Sequence, residues 1–184
     1  LQSRSGKREM IEKFGRKAMR SFMTDQHRNF FAQLPFIVVG SVDKEGWPWA
    51  SIVSGKPGFL SSPDEKTLNI DTRANHGDPL VAVTTQAGAS IGLLGIDMMA
   101  QRRNRLNGII TEAGSAGITI KVDQSFGNCP QYIQRRTVDF TDESVPKKHR
   151  SGQAEEKILL TQLDDESRTI ISNADTLFVA SFVQ

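Results

Sequence analysis

At 184 residues the chain is long enough for one domain with a sizeable core, or for one domain with an appendage. Hydrophobic residues make up 38% and charged residues 24%, ordinary for a globular chain, and a net charge of +2 gives little attraction to a polyanion. No apolar run reaches the roughly 20 residues of a bilayer span, the polar start LQSRSGKREM has no apolar h-region, and a single cysteine excludes an intrachain disulfide.

Residues 1–30 carry eight Lys/Arg (Arg4, Lys7, Arg8, Lys13, Arg16, Lys17, Arg20, Arg28) against three acids (Glu9, Glu12, Asp25). Such a run reads either as a nucleic-acid-binding arm or as the solvated face of a helix. The helix face is favoured. Met10, Ile11, Phe14, Ala18, Phe22 and Met23 recur at helical steps, and Phe14, Phe22 and Phe30 fall on that apolar side rather than forming a stacking platform. Helix is predicted within 7–33, with Asp25 capping a second short helix that runs into Phe30 and Phe31.

The texture then changes. LPFIVVGSV is a β-branched run that ends in the polar turn DKEG, and WPWASIVSG follows, so 34–54 reads as a β-hairpin. GKPGFLSSPDEK reads as a loop, TLNIDT as a third strand and RANHGDPL as another loop. VAVTTQAG fits neither template. ASIGLLGID, apolar almost throughout, reads as a strand buried on both faces. Strands at 103–111 and 117–123 flank a Gly-rich turn, and many short strands at this spacing argue for an all-β barrel or sandwich. Residues 141–156 are polar and read as a linker. ILLTQLDDESRTIISNAD looks helical, with Leu159, Leu163, Ile170 and Ile171 towards one side, and TLFVASFVQ reads as an apolar strand. The helix before FFAQLPFIVVGSV is echoed by the helix before NADTLFVASFV, either as a repeated unit or as a recurrence of a common pair.

SFGNCPQYIQRR holds the lone Cys129. Zinc needs several soft or imidazole ligands, and one Cys with His27, His76 and His149 scattered along the chain does not supply them. A nucleophilic thiol needs a base, and none is near in sequence. The residue before proline is pushed to extended geometry, so FGNC is expected to end a strand with Cys129 as a small buried turn residue. Pro130 is then expected to open a short helix.

Taken in order, the first hairpin, TLNIDT with RANHGDPL, IGLLGID, RNRLNG and FGNCPQYIQ resemble the pyridoxamine 5′-phosphate oxidase-like FMN-binding split barrels, in particular a bacterial branch of flavin-nucleotide-binding proteins. The likeness covers roughly 25–140. It implies a mainly β fold with flanking helices, a six-stranded antiparallel split β-barrel at 34–140. Composition and periodicity add a helical segment at 1–33, a linker at 141–156, and a helix and strand at 157–184 that read either as the start of a second, truncated repeat or as a common helix–strand pair. The likeness also implies a homodimer with FMN at the interface.

FMN needs donors and cations around its phosphate, and backbone with small side chains along its ring. Ser51, Ser54 and Lys56 lie at the end of the second strand; a spacing of three puts the serines on opposite faces of a regular strand. WASIVSG also reads as a plain strand with small polar residues. In the resembling family the loop of Thr72, Arg73, Asn75 and His76 grips the phosphate, and a guanidinium fork at Arg73 suits it. RRNRLNG places Arg103 and Arg105 on one strand face and Asn104 and Leu106 on the other. By the resemblance Arg105 and Asn107 start a strand near the flavin, and Gln131 and Tyr132 are cofactor or substrate contacts.

The expectation is therefore a cytoplasmic FMN-dependent oxidoreductase acting on a small substrate, with neither nucleic acid nor membrane as partner and with no metal. The basic substrate-phosphate residues near the C-terminus of true pyridoxamine 5′-phosphate oxidases are not found. The alternative is a non-catalytic module, holding haem, deazaflavin or nothing, that acts as a dimeric regulatory domain; haem would need an axial ligand such as His76 or His149.

Overall fold

The computed structural model describes residues 19–71, 77–114, 116–138 and 160–182. The basic run up to residue 18, the phosphate-loop candidates Thr72, Arg73, Asn75 and His76, the linker at 141–156 and Leu159 lie outside these residues.

Helix α1 (Asp25–Ala32) begins at Thr24, which is extended at φ −68° and ψ 161° and whose hydroxyl accepts from the His27 amide at 3.3 Å. The cap is thus Thr24 and not Asp25, which sits in the first turn where its charge suits the helix dipole. His27, Phe30 and Phe31 turn one face of α1 into the core, and Pro35 helps end the helix.

Strands β1 (Phe36–Val42) and β2 (Pro48–Ser54) form the expected hairpin. In its turn the Asp43 carboxylate accepts from the amides of Glu45 and Trp47, at 3.1 and 2.8 Å. Strands β3 (Leu60–Ser61) and β4 (Thr67–Ile70) follow, then a one-turn helix α2 (Leu80–Val83), and then β5 (Ser90–Asp97), β6 (Arg102–Ala113) and β7 (Ile118–Asn128). Among the described residues seven strands make one antiparallel sheet in the order β2-β1-β5-β6-β7-β4-β3. The sheet curls. β2 and β3 stand at its two ends, yet Val53 and Leu60 share one core cluster with Phe31, Leu93, Leu106 and Ile120. The short link from Gly55 to Phe59 joins the two edges, and a Cβ at Gly55 would lie 2.6 Å from the Phe59 ring. α1 plugs the inside of this half-barrel, and each large side chain buried there contributes about 1.5–3 kcal/mol.

The mainly β architecture is as expected, with seven strands instead of six. The extra strand is Leu60–Ser61, two residues pairing with Ile70 and Asn69 inside a stretch whose Gly, Pro and Ser content hides it. VAVTTQAG resolves into the end of α2 and the turn beyond it. The helix expected at Pro130 is instead a turn, closed by the Ile133 amide on the Pro130 carbonyl at 3.1 Å with Tyr132 at φ 73°. Helix α3 (Asp165–Asn173) is capped by Asp164 and buries none of its residues. The strand expected at TLFVASFVQ does not form: its described residues, 176–182, belong to no strand. No helix among the described residues is long and apolar enough to cross a membrane.

Candidate functional site

Strand register, not sequence proximity, assembles the site. Ala50, Gly40, Gly92, Asn107 and Gln124 form one row across β2, β1, β5, β6 and β7. Alternation puts Ile37, Val39, Leu93 and Leu106 on the inner face, so this row belongs to the outer one. Its left half is a floor of backbone with almost no side chain. A Cβ at Gly92 would come within 3.3 Å of the Asn107 amide oxygen. The right half is polar: Asn107 Nδ2 donates to Gln124 Oε1 at 3.0 Å. Arg105 lies one row along, paired with Leu94 and Phe126.

Above the floor is a cleft of about 430 Å³ that Arg105, Asn107, Asp123 and Gln124 border on one side. Phe178, Ala180 and Phe182, from the segment after α3, border it on the other. The register of β6 and β7 shifts between Asn107 and Gly108, a bulge that gives β7 an extra residue, Asp123, beside Gln124. The bulge depends on glycine: a Cβ at Gly108 would sit 2.2 Å from the Lys121 carbonyl oxygen.

Of the sequence-derived candidates, Arg105 and Asn107 meet at the cleft. Arg103 shares their face, as expected, but its guanidinium donates to the Cys129 carbonyl at 2.6 Å. Ser51 and Ser54 fall on opposite faces, as their spacing requires. Ser51 is buried and donates to the Asp78 carboxylate at 2.6 Å; the same Oδ1 accepts from the Leu80 amide at 2.8 Å, so this serine pins the loop before α2 and does not border the cleft. Ser54, Lys56, Gln131 and Tyr132 are exposed away from it, Tyr132 at 91%. Cys129 is exposed rather than buried, because the chain leaves the sheet at Asn128 just before it. Gly40, Gly92, Gln124 and the C-terminal residues were missed. The available signal was a glycine in the middle of each of two apolar strands, IVVGSV and SIGLLG.

A second polar cluster lies inside. His27 is buried and its Nδ1 is 2.8 Å from the Ser125 hydroxyl. Burial, with the nearby Arg20 and Arg102 charges, pushes its pKa below the ordinary 6.5, so the ring is held neutral.

No family model matches the chain, and no curated protein matches it. Solved structures do. A point variant of HupZ from Group A Streptococcus is 16% identical over 58% of this chain and 99% of its own, with a TM-score of 0.44. A second HupZ structure is 15% identical over 57% and 93%, also with a TM-score of 0.44. An F420 reductase is 9% identical over 58% and 97%, with a TM-score of 0.34.

Proposed function

We propose that this chain is an FMN-binding flavoprotein, and that the outer-face cleft holds the flavin. One observation carries the reading: a floor with almost no side chain, open at Gly92 and covered by Ala180 at Gly40, runs into a hydrogen-bonding edge at Asn107 and Gln124, with Arg105 one row away. The residues present fit the group. A flat ring system needs backbone without Cβ atoms beneath it, amides along one edge and a cation near its phosphate, and a cleft of about 430 Å³ lies in the usual range for small-molecule sites. When bound, the flavin supplies the electron or hydride transfer to a small substrate. The chain's own residues orient it: Asn107 and Gln124 fix the ring edge, Arg105 offsets phosphate charge, and Phe178 and Phe182 keep water from one side.

Haem is the alternative occupant: its candidate axial ligands His76 and His149 lie outside the described residues, and His27, the one histidine among those described, is on the inner face bonded to Ser125. The test is the visible spectrum of freshly purified protein before and after denaturation, followed by titration with FMN. Released FMN, or tight binding of added FMN that Arg105→Ala weakens about tenfold or more, is expected. A colourless protein that takes up no FMN would end this reading, and a Soret band would replace it with haem.

A further inference from the structure

The segment that walls the cleft is not an arbitrary tail. Shifting the numbering by 140 lays Thr24 on Asp164, and three bonds of the first helix then recur in the second segment. Thr24 caps α1 by accepting from the His27 amide; Asp164 caps α3 by accepting from the Ser167 amide at 2.8 Å. The Arg28 amide donates to the Thr24 carbonyl at 2.9 Å, and the Arg168 amide to the Asp164 carbonyl at 3.0 Å. Leu34 closes on Phe31 at 3.1 Å, and Ala174 on Ile171 at 3.4 Å. Asp25, Arg28, Val39 and Ser41 recur as Asp165, Arg168, Val179 and Ser181. Phe30 and Phe31, the centre of the first core, correspond to Ile170 and Ile171.

The two copies also meet at equivalent positions. Val38, Gly40 and Val42 border the cleft from one side; Phe178, Ala180 and Phe182, their counterparts, border it from the other. A Cβ built on Gly40 would lie 3.9 Å from the Cβ of Ala180, the residue it maps to. Contact between a residue and its own equivalent marks a two-fold, isologous interface. The Arg136–Asp175 ion pair adds a second tie between the first domain and the tail.

We propose that residues 163–182 are a second copy of the helix–strand unit 23–42, and that the copies pair about a local two-fold axis between Gly40 and Ala180. The chain thereby places its own second copy on the outer sheet face. The pairing is independent of what the cleft holds.

The first test joins Gly40→Cys and Ala180→Cys in a Cys129→Ser background, oxidised with diamide. The expected Cβ separation suits a disulfide, whose mean is about 3.8 Å. A cross-link within single chains is expected. Disulfide-linked dimers, or two thiols that stay free in a chain with unaltered circular dichroism, would overturn pairing in cis. Should a cysteine at position 40 disturb the sheet, Val179→Cys and Ala180→Cys are compared singly in the same background. Maleimide should label position 179 several-fold faster than position 180, and equal rates overturn docking. The axis has its own test: a two-fold makes Val42→Cys with Phe178→Cys equivalent to Val38→Cys with Phe182→Cys. Similar yields for the two pairs are expected; a cross-link in one pair alone overturns the symmetry.

Discussion

His27 shows how one buried side chain ties stability to pH. Its ring sits against Ser125 with its pKa lowered chiefly by burial and further by Arg20 and Arg102. Well above pH 6.5 neither the folded nor the unfolded chain holds the extra proton. As pH falls below 6.5 the unfolded chain takes it up, while the folded chain refuses it until its lower pKa is passed. Folding stability is therefore expected to drop between pH 7.5 and the folded pKa, and His27→Gln should flatten that slope. Urea unfolding of both proteins at pH 7.5 and 5.5 measures it; parallel slopes would remove His27 as the cause. The residue was readable in the sequence as one of three scattered histidines, but its burial was not, because its partner is 98 positions away.

At the level of elements, glycines and repeats make opposite predictions about which residues matter. Gly108→Ala drives a Cβ into the Lys121 carbonyl, and the strand backbone has no flexible side chain to yield. A loss of about 2 kcal/mol or more is expected, together with weaker FMN binding because Asn107 adjoins the bulge. Chemical denaturation and flavin titration read the two effects separately. Phe31 is fully buried, and Phe31→Ala should cost about 3–5 kcal/mol. Its counterpart Ile171 is 42% exposed, and Ile171→Ala in the 184-residue chain should change stability by no more than about 0.5 kcal/mol. Comparable losses for the two would mean that α3 packs into a core. The hairpin, β4 and β5 were legible because β-branched runs and turn residues are local signals. β3 was not, because a two-residue strand has no period to detect.

For the molecule as a whole, the core cluster draws only on residues from Met23 to Val122 among those described. The half-barrel should then stand without the tail. A chain ending at Val138 is expected to unfold in one transition, with its thermal midpoint within about 4 °C of the longer chain. Loss of cooperative unfolding would show that the second copy is an integral part of the fold. The same truncation opens the cleft by removing Phe178 and Phe182, so flavin fluorescence should become more accessible to iodide quenching.

The sequence by itself determined the hairpin, β4, β5, β6 and β7 in order, a short helix before β1, and the opposite faces of Arg105 and Leu106. All of these depend on contacts within a few residues, where periodicity and capping act. Only the tertiary structure decided which candidates gather. Arg105 and Asn107 join Gly40, Gly92 and Gln124 because four strands come into register, whereas Ser51, Gln131 and Tyr132 are carried elsewhere by the same alternation and by a turn. Strand pairing is non-local: it sets residues far apart in sequence side by side, and no single stretch of the chain encodes it.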